Sequence, residues 1–117
     1  MVALVVLLVG VAHPPRAFVA AGTTRVPLAI SSWCWDRHCG APLIRSRRGV
    51  NVTRGAALHL ELSADPLEST VTVGGAPAVV TLRGRDVSWV ATRGGGVSAF
   101  VRYRRGWVVY TARLAVH

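Results

Sequence analysis

Four side chains able to bind a metal or do redox chemistry, Cys34, Asp36, His38 and Cys39, sit within six residues. A structural zinc site normally takes four ligands as two spaced pairs. No second pair follows here, and His59 is the only other central histidine. The Cys-x-x-Cys spacing of redox motifs is also absent. An even cysteine count in a short exported chain reads as one disulfide. That is the expectation for Cys34 and Cys39, with a metal site and free thiols as the alternatives. Closing so small a loop is worth about 2 kcal/mol in the chain-entropy treatment, so its main effect is to shape the loop.

The second chemical signal is charge. The chain carries +9 formally, and all 14 basic residues are arginine. Arginine without lysine, in a chain rich in Ala, Gly and Val, matches the codon bias of a GC-rich genome, so part of the enrichment is genomic. Arg45, Arg47, Arg48 and Arg54 form the densest run, and Arg102, Arg104 and Arg105 form a second. Such a field attracts polyanions: teichoic acids, anionic lipid headgroups or extracellular DNA outside a bacterium. The alternative is solvated arginine on loops.

Among the aromatics, Trp33 and Trp35 flank Cys34 and are expected to divide between core and surface. Trp35 and Trp107 are the candidates to stack on a sugar, peptide or other ligand. Trp89 lies in an alternating run and is expected in the core. Catalysis finds little support. The five acids are dispersed, so no carboxylate pair is indicated for glycoside chemistry. Ser88 and Ser98 lie in strand-like runs outside any Gly-x-Ser-x-Gly elbow. Gly94 to Gly96 lack the helix and lysine of a phosphate loop. No catalytic residue, metal or cofactor is expected. Asn51-Val52-Thr53 matches a glycosylation sequon that a bacterial strand would not use.

The elements that must position these residues are strands. The chain has 117 residues, room for one domain. Its 51% hydrophobic content and mean hydropathy of +0.41 exclude disorder. Val2 to Ala12 is an apolar run with one glycine, too short for a bilayer span of about 20 residues and suited to a secretory leader. His13-Pro14-Pro15-Arg16 breaks any helix, and Val19-Ala20-Ala21 offers small residues for cleavage. The expectation is a signal peptide over residues 1–21 and one domain over 22–117. The alternatives are a buried N-terminal strand and an uncleaved segment that contacts a membrane. Residues 22–117 hold 13 arginines against 5 acids, a net of +8.

Alternation, not helical periodicity, runs through the rest. Strands are expected over Thr24–Ile30, from Val50, over Leu58–Leu62, Thr70–Val73, Ala78–Leu82 and Val87–Ala91. Ser31–Arg48 reads as irregular. Val97–Tyr103 and Trp107–Val116 form the strongest hairpin, with Val108, Tyr110, Ala112, Leu114 and Val116 as a core stripe. Seven or eight short strands with Gly or Pro turns predict an all-β antiparallel sandwich or barrel, and the sandwich is the expected fold.

The order Trp33-Cys34-Trp35 with Cys39 close behind, then Gly55 and Leu58, Leu60, Leu62, then the closing hairpin from Phe100 through Gly106 and Tyr110 to Val116, resembles small secreted or surface proteins of GC-rich Gram-positive bacteria that carry one immunoglobulin-like domain. The resemblance implies that fold and an extracytoplasmic location. It carries no catalytic residues and no ligand. The neutral start of the leader and the basic 45–54 segment depart from it.

The expected function is therefore a non-enzymatic secreted or cell-envelope domain, binding or structural, whose partner is an anionic envelope polymer or another envelope protein. One alternative is a nucleic-acid binder stacking bases on Trp107, Phe100 and Tyr103, against which the leader counts. Another is a small inhibitor-like domain presenting the hairpin tip or the cysteine loop to a protein target.

Overall fold

The computed structural model describes residues 13–42 and 49–117. Twelve strands build two sheets, and no helix occurs among the described residues. They are β1 (Ala17–Ala21), β2 (Thr24–Pro27), β3 (Ala29–Trp35), β4 (His38–Gly40), β5 (Gly49–Val52), β6 (Ala57–Leu62), β7 (Pro66–Val73), β8 (Ala76–Pro77), β9 (Thr81–Arg83), β10 (Asp86–Val90), β11 (Gly95–Tyr103) and β12 (Gly106–Val116). One sheet has the order β2-β1-β6-β10-β9. The other runs β4-β3-β12-β11-β7-β8, with β5 added in parallel beside the end of β12.

The core follows from the alternation. Leu58, Leu60 and Leu62 on β6 face inward with Val87 and Trp89 of β10. Val71, Val73, Val97, Ala99, Val101, Val108, Tyr110 and Leu114 oppose them from the second sheet. Leu58 and Leu60 are fully buried, each stabilising the fold by about 2 kcal/mol. Ala112 and Val116 complete the β12 stripe at its partly buried margin.

The expected all-β sandwich is the observed architecture, with more strands than the seven or eight expected. The extra ones lie largely in the N-terminal third. Thr24–Ile30 splits at Leu28, whose amide leaves the strand to bond the Ala17 carbonyl at 3.0 Å. Within Ser31–Arg48, β3 continues to Trp35 and turns into β4, where Cys34 and Cys39 face each other and form a disulfide. Ala78–Leu82 is strand only from Thr81.

The expected boundary after Ala21 falls in the turn between β1 and β2. Residues 17–21 lie between β2 and β6, paired to both, with Ala17 and Val19 in the core. Pro14 and Pro15 are buried as well. A chain starting at Gly22 would lack this strand. Small apolar residues satisfy both a buried strand and a cleavage region, which is why composition alone favours the leader. Residues 1–12 lie outside the described residues.

Candidate binding surfaces

Two hairpin turns lie side by side at one end of the second sheet. Asp36 and Arg37 join β3 to β4 with φ of 49° and 70°, the left-handed pair that a two-residue hairpin turn requires. Arg104 and Arg105 join β11 to β12. Between them Gly106 pairs with Trp35, and a Cβ on Gly106 would run into the Cys34 carbonyl. Only glycine permits that approach.

The turns are tied through Arg105. The Asp36 amide bonds the Arg105 carbonyl at 3.0 Å. The Arg105 guanidinium donates twice to the Asp36 carboxylate, once through Nε at 2.8 Å. This bond holds the Asp36 carboxyl below its ordinary range, with His38 adding to it, and raises Arg105 in turn. Arg102 is similarly held by Glu68, at 2.8 and 2.6 Å. Of the three tip arginines expected to meet a polyanion, only Arg104 has no carboxylate partner, and Arg37 joins it from the neighbouring turn. Arg54 is exposed and bonds the Thr92 carbonyl at 2.7 Å. Arg45, Arg47 and Arg48 lie outside the described residues.

The pattern extends to the whole chain. Its five acids are Asp36, Glu61, Asp65, Glu68 and Asp86. Glu61 pairs with Arg25 and Asp65 with Arg85, both at 2.7 Å, and Asp86 with His59 at 3.1 Å. With Arg102 and Arg105 added, four of the five carboxylates pair with an arginine among the described residues, and Asp86 has the His59 imidazole. Exposed pairs of this kind contribute little to stability, but they cancel charge locally. Arg16, Arg37, Arg54, Arg83, Arg93, Arg104 and Arg113 have no carboxylate partner among the described residues.

The aromatics sort by face. Trp35, expected to stack on a ligand, is 6% exposed. Its ring meets Tyr103 edge-on at 5.5 Å, and Arg105 lies 5.4 Å from its centroid. It belongs to the core. Trp33 also packs inward, closing over Gly40. The expected division between them fails because residues two apart on a strand share a face. Trp107 faces outward beside Cys34 and Arg102. It stacks on the exposed Phe100, centroids 5.9 Å apart and planes 28° apart. This pair forms an aromatic platform on the outer face of the sheet, beside the disulfide.

On the inner face, Tyr110 donates its hydroxyl to the Pro15 carbonyl at 2.6 Å. Tyr103 therefore donates to the Tyr110 oxygen at 2.7 Å. Burial pushes the Tyr103 hydroxyl up to about 12 and raises Tyr110 further, with Tyr103 contributing. Nothing in the local sequence marks this chain of bonds, because its partners come from opposite ends of the molecule.

One constellation escaped the sequence altogether. Asp86 bonds Nδ1 of His59, and Ser88 lies directly opposite His59 across β6 and β10. These are the residue types of an acyl-transfer triad. No hydrogen bond joins Ser88 to His59 among the described residues, and the amides around Ser88 belong to ladders with β6 and β9. An oxyanion hole needs free donors converging on the nucleophile, and the amides beside Ser88 are engaged in the two ladders. Compared with known proteins, the chain matches no family model, no curated protein and no solved structure.

Proposed function

We propose that the chain is an exported, non-enzymatic binding domain of immunoglobulin-like build that is retained on anionic polymers outside the cell. The charge balance carries this reading. Four of the five carboxylates are already matched by arginine, so the seven unmatched arginines among the described residues, with Arg45, Arg47 and Arg48 from the sequence, set the field that a polyanion meets. The disulfide agrees with an oxidising location.

Strand order supports the immunoglobulin-like part. The succession β1-β6-β10-β9 corresponds to A-B-E-D, and β12-β11-β7-β8 to G-F-C-C′. On that plan β2, β3 and β4 are additions at the G and A edges. The disulfide lies in one of these additions instead of joining the two sheets. A removable leader, on this reading, ends upstream of Pro14, because the Pro15 carbonyl holds Tyr110.

The test uses protein from the native culture supernatant, its first residue read by intact mass, loaded on immobilised poly(glycerol phosphate). Retention should fall linearly with log salt. The triple substitution Arg45→Ser, Arg47→Ser, Arg48→Ser should flatten that slope by about 2 to 3. Arg102→Ser, already neutralised by Glu68, should change it little. Retention that ignores salt and the triple substitution would sink the polyanion reading. A supernatant mass beginning at Gly22 would sink the assignment of β1 to the mature domain.

A further inference from the structure

A notch of about 520 Å³ opens on the flank of the sandwich. It exists because β9 pairs with β10 only from Asp86 to Ser88. The chain before β9 leaves that edge and crosses to the other sheet, where the Ala78 amide bonds the Val71 carbonyl at 2.9 Å. Trp89 to Thr92 therefore run on without a strand on that side, while Trp89 and Val90 still pair with β6 on the other. The Arg85 carbonyl accepts from the Leu62 amide of β6 and the Ala91 amide donates to the Ala56 carbonyl just before β6, so by strand alternation the amide and carbonyl of Val90 face the notch.

The lining combines apolar walls with a cation that has no carboxylate partner. Val73, Pro77, Val79 and Val90 supply the walls. Val79 is 95% exposed and Val90 55%, unusual for valines that serve only the fold. Trp89 also lines the notch, is 7% exposed, and its buried Nε1–H has no hydrogen-bond partner. A buried donor left without an acceptor is costly and rare. Arg93 stands at the same notch with no carboxylate partner, and no acid lines it.

We propose that this notch binds a small apolar carboxylate, its tail against Val73, Pro77, Val79 and Val90 and its head on Arg93, with the Trp89 ring at the same lining. Apolar walls with a few convergent polar groups are the usual anatomy of a small-molecule site. Arg93 is the charged group at the notch and has no carboxylate partner, so the complementary head is an anionic acceptor. The proposal is independent of the polyanion reading, since Arg93 is the only unmatched arginine at the notch.

The test is a titration of the full ¹⁵N-labelled protein with decanoate below its micelle concentration, following the indole N–H signals. Trp89→Phe identifies the Trp89 signal. Decanol is the uncharged comparison. Decanoate should shift the Trp89 signal saturably and bind at least about tenfold tighter than decanol. Arg93→Gln should remove that advantage while leaving decanol binding unchanged, and Arg16→Gln, away from the notch, should have no effect. A second substitution, Val79→Asp, should also weaken decanoate by placing a carboxylate at the rim. No saturable shift at Trp89, equal affinity for acid and alcohol, or equal weakening by Arg16→Gln would each overturn the proposal. The last outcome would mark general attraction to a basic protein.

Discussion

The β11–β12 hairpin carries an aromatic pair on each face, and the two pairs meet opposite environments. Inside, Tyr103 and Tyr110 are buried, and their hydroxyls form a chain ending on the Pro15 carbonyl. Outside, Phe100 and Trp107 lie against each other with Phe100 37% exposed. The inner pair needs its hydroxyls satisfied to be buried at all. The outer pair carries no hydroxyl to satisfy, and its rings stack on each other at the sheet surface. One hairpin thus separates residues that hold the sandwich closed from residues that the fold does not require, and the second kind are free for recognition.

Truncating the inner pair should have the largest effect. Tyr110→Ala removes a buried ring and leaves Tyr103 and Pro15 without partners, at about 3–5 kcal/mol. Tyr110→Phe keeps the ring and loses only the bonds, at about 1–3 kcal/mol. Urea midpoints at constant m-value measure both, and a Tyr110→Ala loss below that of Tyr110→Phe would contradict the assignment. Alkali should act through the same pair. The folded state keeps the Tyr103 proton up to about 12, while the unfolded chain releases it near 10. Stability is then intact below pH 10 and falls as pH rises toward 12. Tyr103→Phe should flatten that fall, and a midpoint unchanged from pH 9 to 12 would count against it. The smallest effect belongs outside. Trp107→Ala should cost no more than about 1 kcal/mol, the worth of one exposed stack. A loss as large as that of Tyr110→Ala would put Trp107 in the core.

The sequence made the strongly alternating elements legible. Leu58, Leu60 and Leu62 announce β6, and the stripe from Val108 announces β12, because one face is buried along the whole length. The hairpin between β3 and β4 was hidden since its turn uses Asp36 and Arg37 in left-handed conformations where glycine or asparagine is the usual signal. β1 is not legible in the sequence, because Ala, Phe and Val suit a core strand and a cleavage region equally well. Of the candidate site residues, Trp107 could be placed from its position on the strand, opposite in face to Val108. The fates of Arg102 and Arg105 could not, since Glu68 and Asp36 are 34 and 69 residues away. The His59–Asp86 pair and the notch beside Trp89 likewise depend on which strands become neighbours, and on where β9 stops.

The bond from Tyr110 to Pro15 joins residues 95 apart, and β12 is also the neighbour of β3, β5 and β11. A chain growing from its amino end makes three of these partners long before the strand that seats them. Until Gly106–Val116 emerges, the facing edges of β3, β5 and β11 stay open to other chains. The eleven residues of β12 are thus a clasp fastened last. The domain should close only after its synthesis is complete, in the slow range typical of long-range β topologies, and a chain halted just short of the clasp is a ready substrate for proteases and chaperones.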